Sequence, residues 1–318
     1  MPLVSVVLPT YNRANVLSRA VNSVLNQTFR DFELIIVDDA STDNTRQLLA
    51  SYDSTQICVI SLPDNVGPAG ARNAGIRAAS GALIAFQDSD DEWGPEKLSI
   101  QVPRLISSSV SLGRGLGASY SRFLLQGRGR FTPFPPLQIN ASGNIYKDLL
   151  EQNLVGTPTL MVSREVLQDI GEFDEKLSWL EDWDLALRIA QGYDFDFVDS
   201  PLLVSYRSPG GVNQRDDPIA VFKIHQKHLG YYRQSAPDLG AWRFLAIGDS
   251  LMKRGYPRLG QNAFGLALAL RPNMRTVALR VATLGGQRTY CALANLFGKR
   301  GILSSVADFF RRIVSGAL

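Results

Sequence analysis

An α/β fold followed by a mainly helical extension is what this sequence predicts. Three observations carry it. Short β-branched runs alternate with helical segments over the first 90 residues, polar and acidic residues directly follow those runs, and the charge balance changes sign near residue 240. Repeated strand–helix alternation implies a parallel sheet with right-handed crossovers. In such sheets ligands bind beyond the carboxyl ends of the strands.

The elements follow in order. Val4 to Leu8 is a β-branched run that reads as a buried strand. Pro9 ends it, and Asn12 and Asn15 offer caps for a helix through about Asn26. Phe32 to Val37 is the second strand, Asn44 to Ser51 the second helix, and Gln56 to Leu62 the third strand. Ala69 to Ala79 reads as a helix stopped by Gly81, and Leu83 to Gln87 is a fourth strand that runs straight into acids. Residues 107–145, with GRGLG, GRGR and PFPP, read as loop, edge strand or cover. Asp182 to Gln191 is helical by pattern, with Leu185, Ile189 and Trp183 facing inward, and the chain from Ile219 onward reads as mostly helical. The stretch Ala246 to Ala267 resembles a helical hairpin.

With 318 residues, two domains are expected, at 1–215 and 216–318. Composition is close to the globular average, which excludes wholesale disorder. Cys58 and Cys291 are too few for a disulfide framework or a cysteine-rich zinc site and fit a reducing compartment. The N-terminus has no basic region ahead of its apolar run, unlike a signal peptide. No stretch reaches the roughly 18 apolar residues of a spanning helix. The expected location is therefore cytoplasmic, with peripheral contact at the inner membrane face a further option. Residues 1–239 carry a net charge of −7, and residues 240–318 carry +10. A basic tail suits an anionic partner or a solvated helical surface.

Four constellations offer chemistry. In Phe86-Gln87-Asp88-Ser89-Asp90-Asp91, three acids after an apolar strand repel one another unless a cation or a donor neutralises them. Hard cations such as Mg²⁺ or Mn²⁺ prefer oxygen ligands of this kind, whereas a solvated acidic turn is the structural alternative. Val37-Asp38-Asp39-Ala40-Ser41-Thr42-Asp43 contains helix-capping residues, but capping does not account for two adjacent acids at a strand end. Asn65 to Gly75 opens a helix with small residues and Arg72, a setting that suits phosphate or carboxylate, or a tight turn with a surface arginine. Its glycine spacing is not that of a dinucleotide fingerprint. Finally, Trp179-Leu180-Glu181-Asp182-Trp183-Asp184 places acids between tryptophans. Indole faces stack on sugar rings, and an apolar wall raises a carboxylate toward a general base; a helix cap beside core tryptophans is the alternative. Trp93, Trp179 and Trp183 are the acceptor-side candidates. His225 and His228, at i and i+3, read as surface or structural, without acid ligands nearby.

The order of the blocks is more specific than any one of them. VSVVLPTYNR, VDDASTDNT, NVGPAGARNAGIRAASG, FQDSDDEWGPEKL and GEFDEKLSWLEDWDLALRIA, over about residues 3–207, resemble glycosyltransferase family 2. The resemblance implies a GT-A fold, with a Rossmann-like nucleotide-binding half joined to an acceptor half. It also implies inverting transfer of a sugar from a nucleotide-diphosphate donor, with UDP-sugar favoured over dTDP-sugar, to a glycan or lipid-linked hydroxyl in cell-surface polysaccharide assembly. Carried over residue by residue, Thr10 and Tyr11 line the nucleoside pocket, Asp39 meets the base edge, and Arg72 lies by the nucleotide. Asp88 and Asp90 form the D-x-D motif, with Asp90 the direct ligand of Mn²⁺ or Mg²⁺ and Asp88 nearer the ribose. Asp182 is the general base, with Glu181 or Asp184 as fallback.

Two departures from the family pattern matter. Many family members carry a histidine shortly after the segment matching Val204 to Arg207, whereas here Ser208-Pro209-Gly210-Gly211 follows, with no histidine before His225. The Q-x-x-R-W motif of processive members is also absent, which implies a non-processive enzyme. A nucleotide- or glycan-binding module with weak or lost catalysis is the alternative, and no nucleic-acid partner is expected. Leu303 to Leu318 has helical apolar spacing beside Arg311 and Arg312, which suits either an interfacial helix or a packed terminal one.

Overall fold

The computed structural model describes residues 1–107, 115–127, 129–136, 142–206, 217–272, 274–287 and 290–291. Two compact units divide the chain, Met1–Arg215 and Asp216–Leu318.

The first unit opens with β1 (Val4–Thr10), α1 (Leu17–Leu25), β2 (Phe32–Asp38), α2 (Thr45–Ala50), β3 (Ile57–Ser61), α3 (Gly67–Ala78) and β4 (Leu83–Phe86). All seven residues of β1 are buried, as its unbroken apolar run requires of a central parallel strand. Next come β5 (Glu92–Trp93), α4 (Lys97–Ser107), β6 (Leu116–Gly127), β7 (Arg130–Phe134), α5 (Tyr146–Glu151), β8 (Met161–Ser163), α6 (Arg164–Ile170), α7 (Glu181–Gly192) and β9 (Asp194–Tyr206). The strands form one mixed sheet in the order β3-β2-β1-β4-β8-β6-β9-β5, with β7 paired to β6. β1 to β4 pair in parallel, and β8 joins β4 antiparallel. Under one face, Leu17, Val21 and Val24 of α1 pack with Val4, Leu34, Leu98 and Val102.

Within residues 107–145, β7, paired to β6 alone among the described strands, fits the expected edge strand, but β6 corrects the expectation. β6 is no edge or cover: it lies between β8 and β9, with Ala118 and Tyr120 fully buried. Two of its buried polar residues find distant partners, while the Ser121 Oγ has none. Ser119 donates to Asp196 at 3.2 Å, and Arg122 pairs with Asp199. Asn15 and Asn12 do not cap α1, whose N-cap is Val16 with no side-chain hydrogen bond. Instead the Asn12 Oδ1 accepts from the Thr42 and Asp43 N–H groups at 2.7 and 3.2 Å, tying the β1 and β2 turns together.

The second unit contains α8 (Pro218–Lys227), α9 (Leu229–Ser235), α10 (Pro237–Lys253), α11 (Pro257–Leu270) and α12 (Met274–Ala282). α10 and α11 form a close hairpin. A Cβ on Gly248 would lie 2.6 Å from the Phe264 ring, so only glycine permits this approach. His225 and His228 are buried. The His225 Nδ1 lies 2.6 Å from the Tyr232 hydroxyl. Burial first, then Arg243 and His228, pushes the His225 pKa down to about 3, so this ring is neutral and structural. Among the described residues no helix is long and apolar enough to cross a membrane. The Leu303–Leu318 segment lies outside the described residues.

Candidate active site

Strand register assembles the site. Thr10 pairs with Asp38 across β1 and β2, and Val7 pairs with Phe86 across β1 and β4. Thr10, the Asp38–Asp39 pair and Asp88 therefore emerge along one edge of the sheet. A cleft of about 560 Å³ opens there, lined among others by Thr10, Tyr11, Asp39, Arg72, Asp88, Asp90, Trp179, Glu181 and Asp182.

Along the β1–β2 edge, Thr10 is 2% exposed and its Oγ1 has no hydrogen-bond partner, whereas Tyr11 is 44% exposed. The two adjacent acids after β2 have separate structural partners. Asp38 accepts from the Ser41 N–H at 3.1 Å and from Arg46 Nε at 2.9 Å. Asp39 accepts from the Val66 and Gly67 N–H groups at 2.8 and 2.9 Å, which fastens the start of α3 to the sheet edge. Burial raises the Asp39 pKa, and those two N–H donors oppose the rise. Gly67 has φ +81°, a conformation that side chains with a Cβ rarely adopt.

The D-x-D turn is organised by one arginine. Arg72, inside α3 and 5% exposed, donates to Asp88 at 2.7 Å and to Glu181 at 2.6 Å. Burial disfavours its charge, but the two carboxylates more than offset that and hold Arg72 firmly protonated. The arginine expected beside the nucleotide thus bridges the acids of the two motifs. Asp91 is 2% exposed and accepts from the Tyr206 N–H at 3.1 Å. Burial, then the charges of Asp88 and Asp90, push its carboxyl well above the usual range. Arg19 donates to the Asp90 carbonyl at 2.5 Å and lies 3.7 Å over the Tyr206 ring.

On the opposite side, Leu180 takes a left-handed conformation, φ +63°, immediately before α7. The turn places Glu181 and Asp182 in the first turn of the helix, facing the cleft. Glu181 is bound to Arg72, whereas Asp182 has neutral donors: the Trp183 N–H at 2.7 Å, Asn153 Nδ2 at 3.2 Å and Thr157 Oγ1 at 3.4 Å. Burial, then the charge of Glu181, pushes the Asp182 pKa up to about 7, with Arg72 and the Trp183 N–H opposing. A carboxyl that titrates near neutrality suits proton transfer.

Several expected residues sit elsewhere. Trp93 and Trp183 are core residues rather than acceptor platforms: they are 3% and 6% exposed, and their indole N–H groups donate to the Pro158 and Leu149 carbonyls. Their flat apolar area is worth more buried than facing water. Only Trp179 of the three lines the cleft. Asp184 is fully buried and binds Arg188 at 2.9 Å, which removes it as a fallback base. The sequence reading missed Asn153 and Thr157, as well as Phe123, Leu125 and Phe134, which add an apolar wall to the cleft. Asn153-Leu-Val-Gly-Thr-Pro-Thr, polar residues around a glycine and a proline, was the available signal for the first two.

Residues 5–171 match the family model described as Glycosyl transferase family 2. The chain belongs to glycosyl transferase family 2. Among family relatives, TuaG of Bacillus subtilis (strain 168), provisionally named a teichuronic acid biosynthesis glycosyltransferase, is 36% identical over 52% of this chain and 63% of its own length. WfgD of Escherichia coli, a UDP-Glc:α-D-GlcNAc-diphosphoundecaprenol β-1,3-glucosyltransferase, is 39% identical over 36% of this chain and 45% of its own. The chain thus spans less than two thirds of the length of these two curated relatives. The crystal structure of Staphylococcus aureus TarS 1–349 covers 90% of this chain and 88% of its own, with a TM-score of 0.64 and 20% identity. That likeness supports the GT-A fold, with helices following the mixed sheet.

Proposed function

We propose that this family 2 chain is an inverting, non-processive, divalent-metal-dependent glycosyltransferase. It moves a sugar from a nucleoside-diphosphate donor, UDP-sugar first, to a hydroxyl of a glycan or lipid-linked acceptor in cell-surface polysaccharide assembly. The observation that carries the reading is the division of labour in the Glu181–Asp182 pair: Glu181 is neutralised by Arg72, and Asp182 keeps a raised pKa without a cation bound to it. Direct displacement needs one base and no protein nucleophile. Asp182 takes the acceptor hydroxyl's proton as the hydroxyl attacks the anomeric carbon. Thr10, with its buried unpartnered hydroxyl, and the exposed Tyr11 ring receive the nucleoside, and Asp39 borders them. Arg72 sits where the leaving diphosphate gains charge.

The donor set at the D-x-D turn fits a hard cation, Mn²⁺ or Mg²⁺. Asp88 and Asp90 are oxygen donors whose negative charge raises Asp91, so the turn has charge to neutralise. Among the described residues no three His, Cys, Asp or Glu side chains form a metal-holding group. Asp90 and Asp88 would therefore hold the ion together with the donor's diphosphate. When bound, the ion offsets charge on the departing phosphate. WfgD is named for a UDP-Glc donor and a lipid-linked acceptor, which supports the donor and acceptor classes, and a mannosyltransferase of the same fold (TM-score 0.52) was solved with GDP-Man and Mn²⁺, which supports a nucleotide-sugar donor with a metal.

Calorimetric titration with UDP and with dTDP, each with Mn²⁺ and with EDTA, on wild type and Asp90→Ala tests the reading. Metal-dependent binding of one nucleotide, lost in the variant, supports it. No binding of either nucleotide under any condition overturns it.

A further inference from the structure

We propose that Asn153 and Thr157 are positioning residues for Asp182: Asn153, with the Trp183 N–H, commits one carboxylate oxygen to the protein, and Thr157 orients the other, which keeps a lone pair for the acceptor hydroxyl. The inference rests on the reading of Asp182 as the base. Asp182 Oδ1 accepts two hydrogen bonds, from the Trp183 N–H at 2.7 Å and from Asn153 Nδ2 at 3.2 Å. Asp182 Oδ2 accepts only the longer contact from Thr157 Oγ1, at 3.4 Å. A carboxylate oxygen offers two lone pairs. Oδ1 is therefore filled, and Oδ2 keeps a second lone pair, with the hydroxyl of Thr157, itself a cleft-lining residue, beside it.

Both residues are held rigidly enough for this role. The Asn153 Oδ1 accepts the Val155 N–H at 3.2 Å, which fixes the amide so that its NH₂ end faces Asp182. Thr157 opens a single 3₁₀ turn, Thr157–Thr159, that is pinned from the core side. Trp93 Nε1 donates to the Pro158 carbonyl at 3.1 Å. Gln101 Nε2 and Lys97 Nζ donate to the Thr159 carbonyl at 3.1 and 3.2 Å. Trp93 thus contributes to the acceptor side through the backbone it braces, without touching the acceptor. The cleft lining includes Asn153, Gly156, Thr157 and Pro158, so this turn forms part of the wall beside the base.

Other charges also act on Asp182. Glu181 on the same helix and Asp88 beyond β4 raise its pKa, and Arg72 of α3 lowers it. Asn153 and Thr157 are neutral donors to the charged form, so removing either one leaves those charges in place and destabilises the carboxylate alone.

The test is a pH titration of the full chain by NMR with ¹³Cγ-labelled aspartate, the Asp182 signal being assigned by its loss in Asp182→Asn. Wild type, Asn153→Ala, Thr157→Val and Thr157→Ser are compared. The expected result is a rise in the Asp182 titration midpoint of about one pH unit in Asn153→Ala and roughly half a unit in Thr157→Val. Thr157→Ser, which keeps the hydroxyl, should stay at the wild-type midpoint. Binding of UDP with Mn²⁺ by each variant reports that it is folded. Folded variants with an unmoved Asp182 midpoint overturn the inference, as does a shift in Thr157→Ser equal to that in Thr157→Val. UDP release from UDP-glucose and from UDP-GlcNAc by Asp182→Asn separates the underlying reading: release at the wild-type rate removes Asp182 as base, whatever the midpoints show.

Discussion

Two pairs of adjacent carboxylates meet the cleft, Glu181 and Asp182 both lining it while only Asp39 of the other pair does and Asp38 is buried behind it, and they are held in different ways. Asp38 and Asp39 follow a strand. Three backbone N–H groups and the Arg46 side chain take up their oxygens. Glu181 and Asp182 begin a helix. One is locked to a buried arginine, and the other meets only neutral donors in a desolvated pocket. The first arrangement joins the β2 edge to the start of α3 through Asp39, each of whose oxygens accepts one backbone N–H while the residue still lines the cleft. Burial raises Asp39 as well as Asp182, but Asp182, beside the charge of Glu181, is pushed up to about 7, which is the condition for a base that works near neutral pH. A carboxylate's environment, more than its place in a motif, separates the two roles.

The comparison breaks most visibly at Asp182. Asp182→Asn should lower the transfer rate by roughly 10³-fold while nucleotide affinity is kept, because general-base catalysis commonly contributes about 10²–10⁴-fold. Rate and calorimetric affinity, measured together, check this. The wild-type rate should fall as pH drops through the Asp182 pKa of about 7. Because that pKa lies above the unfolded value, the folded state binds the extra proton between about pH 4 and 7. Ionising Asp182 therefore costs stability as pH rises through that window, and Asp182→Asn should gain stability relative to wild type over it. Urea melts at pH 5 and pH 7.5 would show this gain, and its absence would indicate a carboxyl with an ordinary pKa.

Arg72→Met comes next. It leaves Asp88 and Glu181 without their shared cation, and loss of one partner from a buried ion pair costs about 3 kcal/mol. It should also raise the acid limb of activity, because Arg72 lowers the Asp182 pKa. A melt with an unchanged midpoint would show that the two carboxylates do not depend on Arg72. Asp39→Ala removes the acceptor for two backbone donors and should cost about 2 kcal/mol, read from a denaturant midpoint. If it abolishes nucleotide binding without destabilising the fold, Asp39 acts on the ligand rather than on α3. The smallest effect is expected at Gly67→Ala. A Cβ there meets no atom within 4 Å, so only the positive φ opposes it, at about 1 kcal/mol.

The wall formed by β1, β2, β4 and α3 was legible because its signals are local. Apolar runs such as Val4 to Leu8 and Leu83 to Phe86 end in the polar residues that form the cleft, and a parallel sheet puts those ends on one edge. Of the facing wall only the acids at the start of α7 were legible. β6 was hidden by glycines at both ends and by Ser119, Ser121 and Arg122 within it. Ser119 and Arg122 are buried against Asp196 and Asp199, which lie across on β9, some 77 positions away. Trp93 and Trp183 read as sugar platforms because an indole suits a sugar face and a core equally well. Only their neighbours, the Pro158 and Leu149 carbonyls, decide between the two.

By itself the sequence determined the strand–helix alternation, the family and the set of acids at the strand ends and at the start of α7, since each is written in contiguous residues whose periodicity or order is enough. Tertiary structure alone decided that Arg72 neutralises Asp88 and Glu181, that Asp39 binds backbone, and that Asp182 stands between Asn153 and Thr157 with its pKa raised. The reason is physical: a carboxylate's charge state depends on desolvation and on donors within a few ångströms, and those donors come from chain segments 16 to 109 residues away.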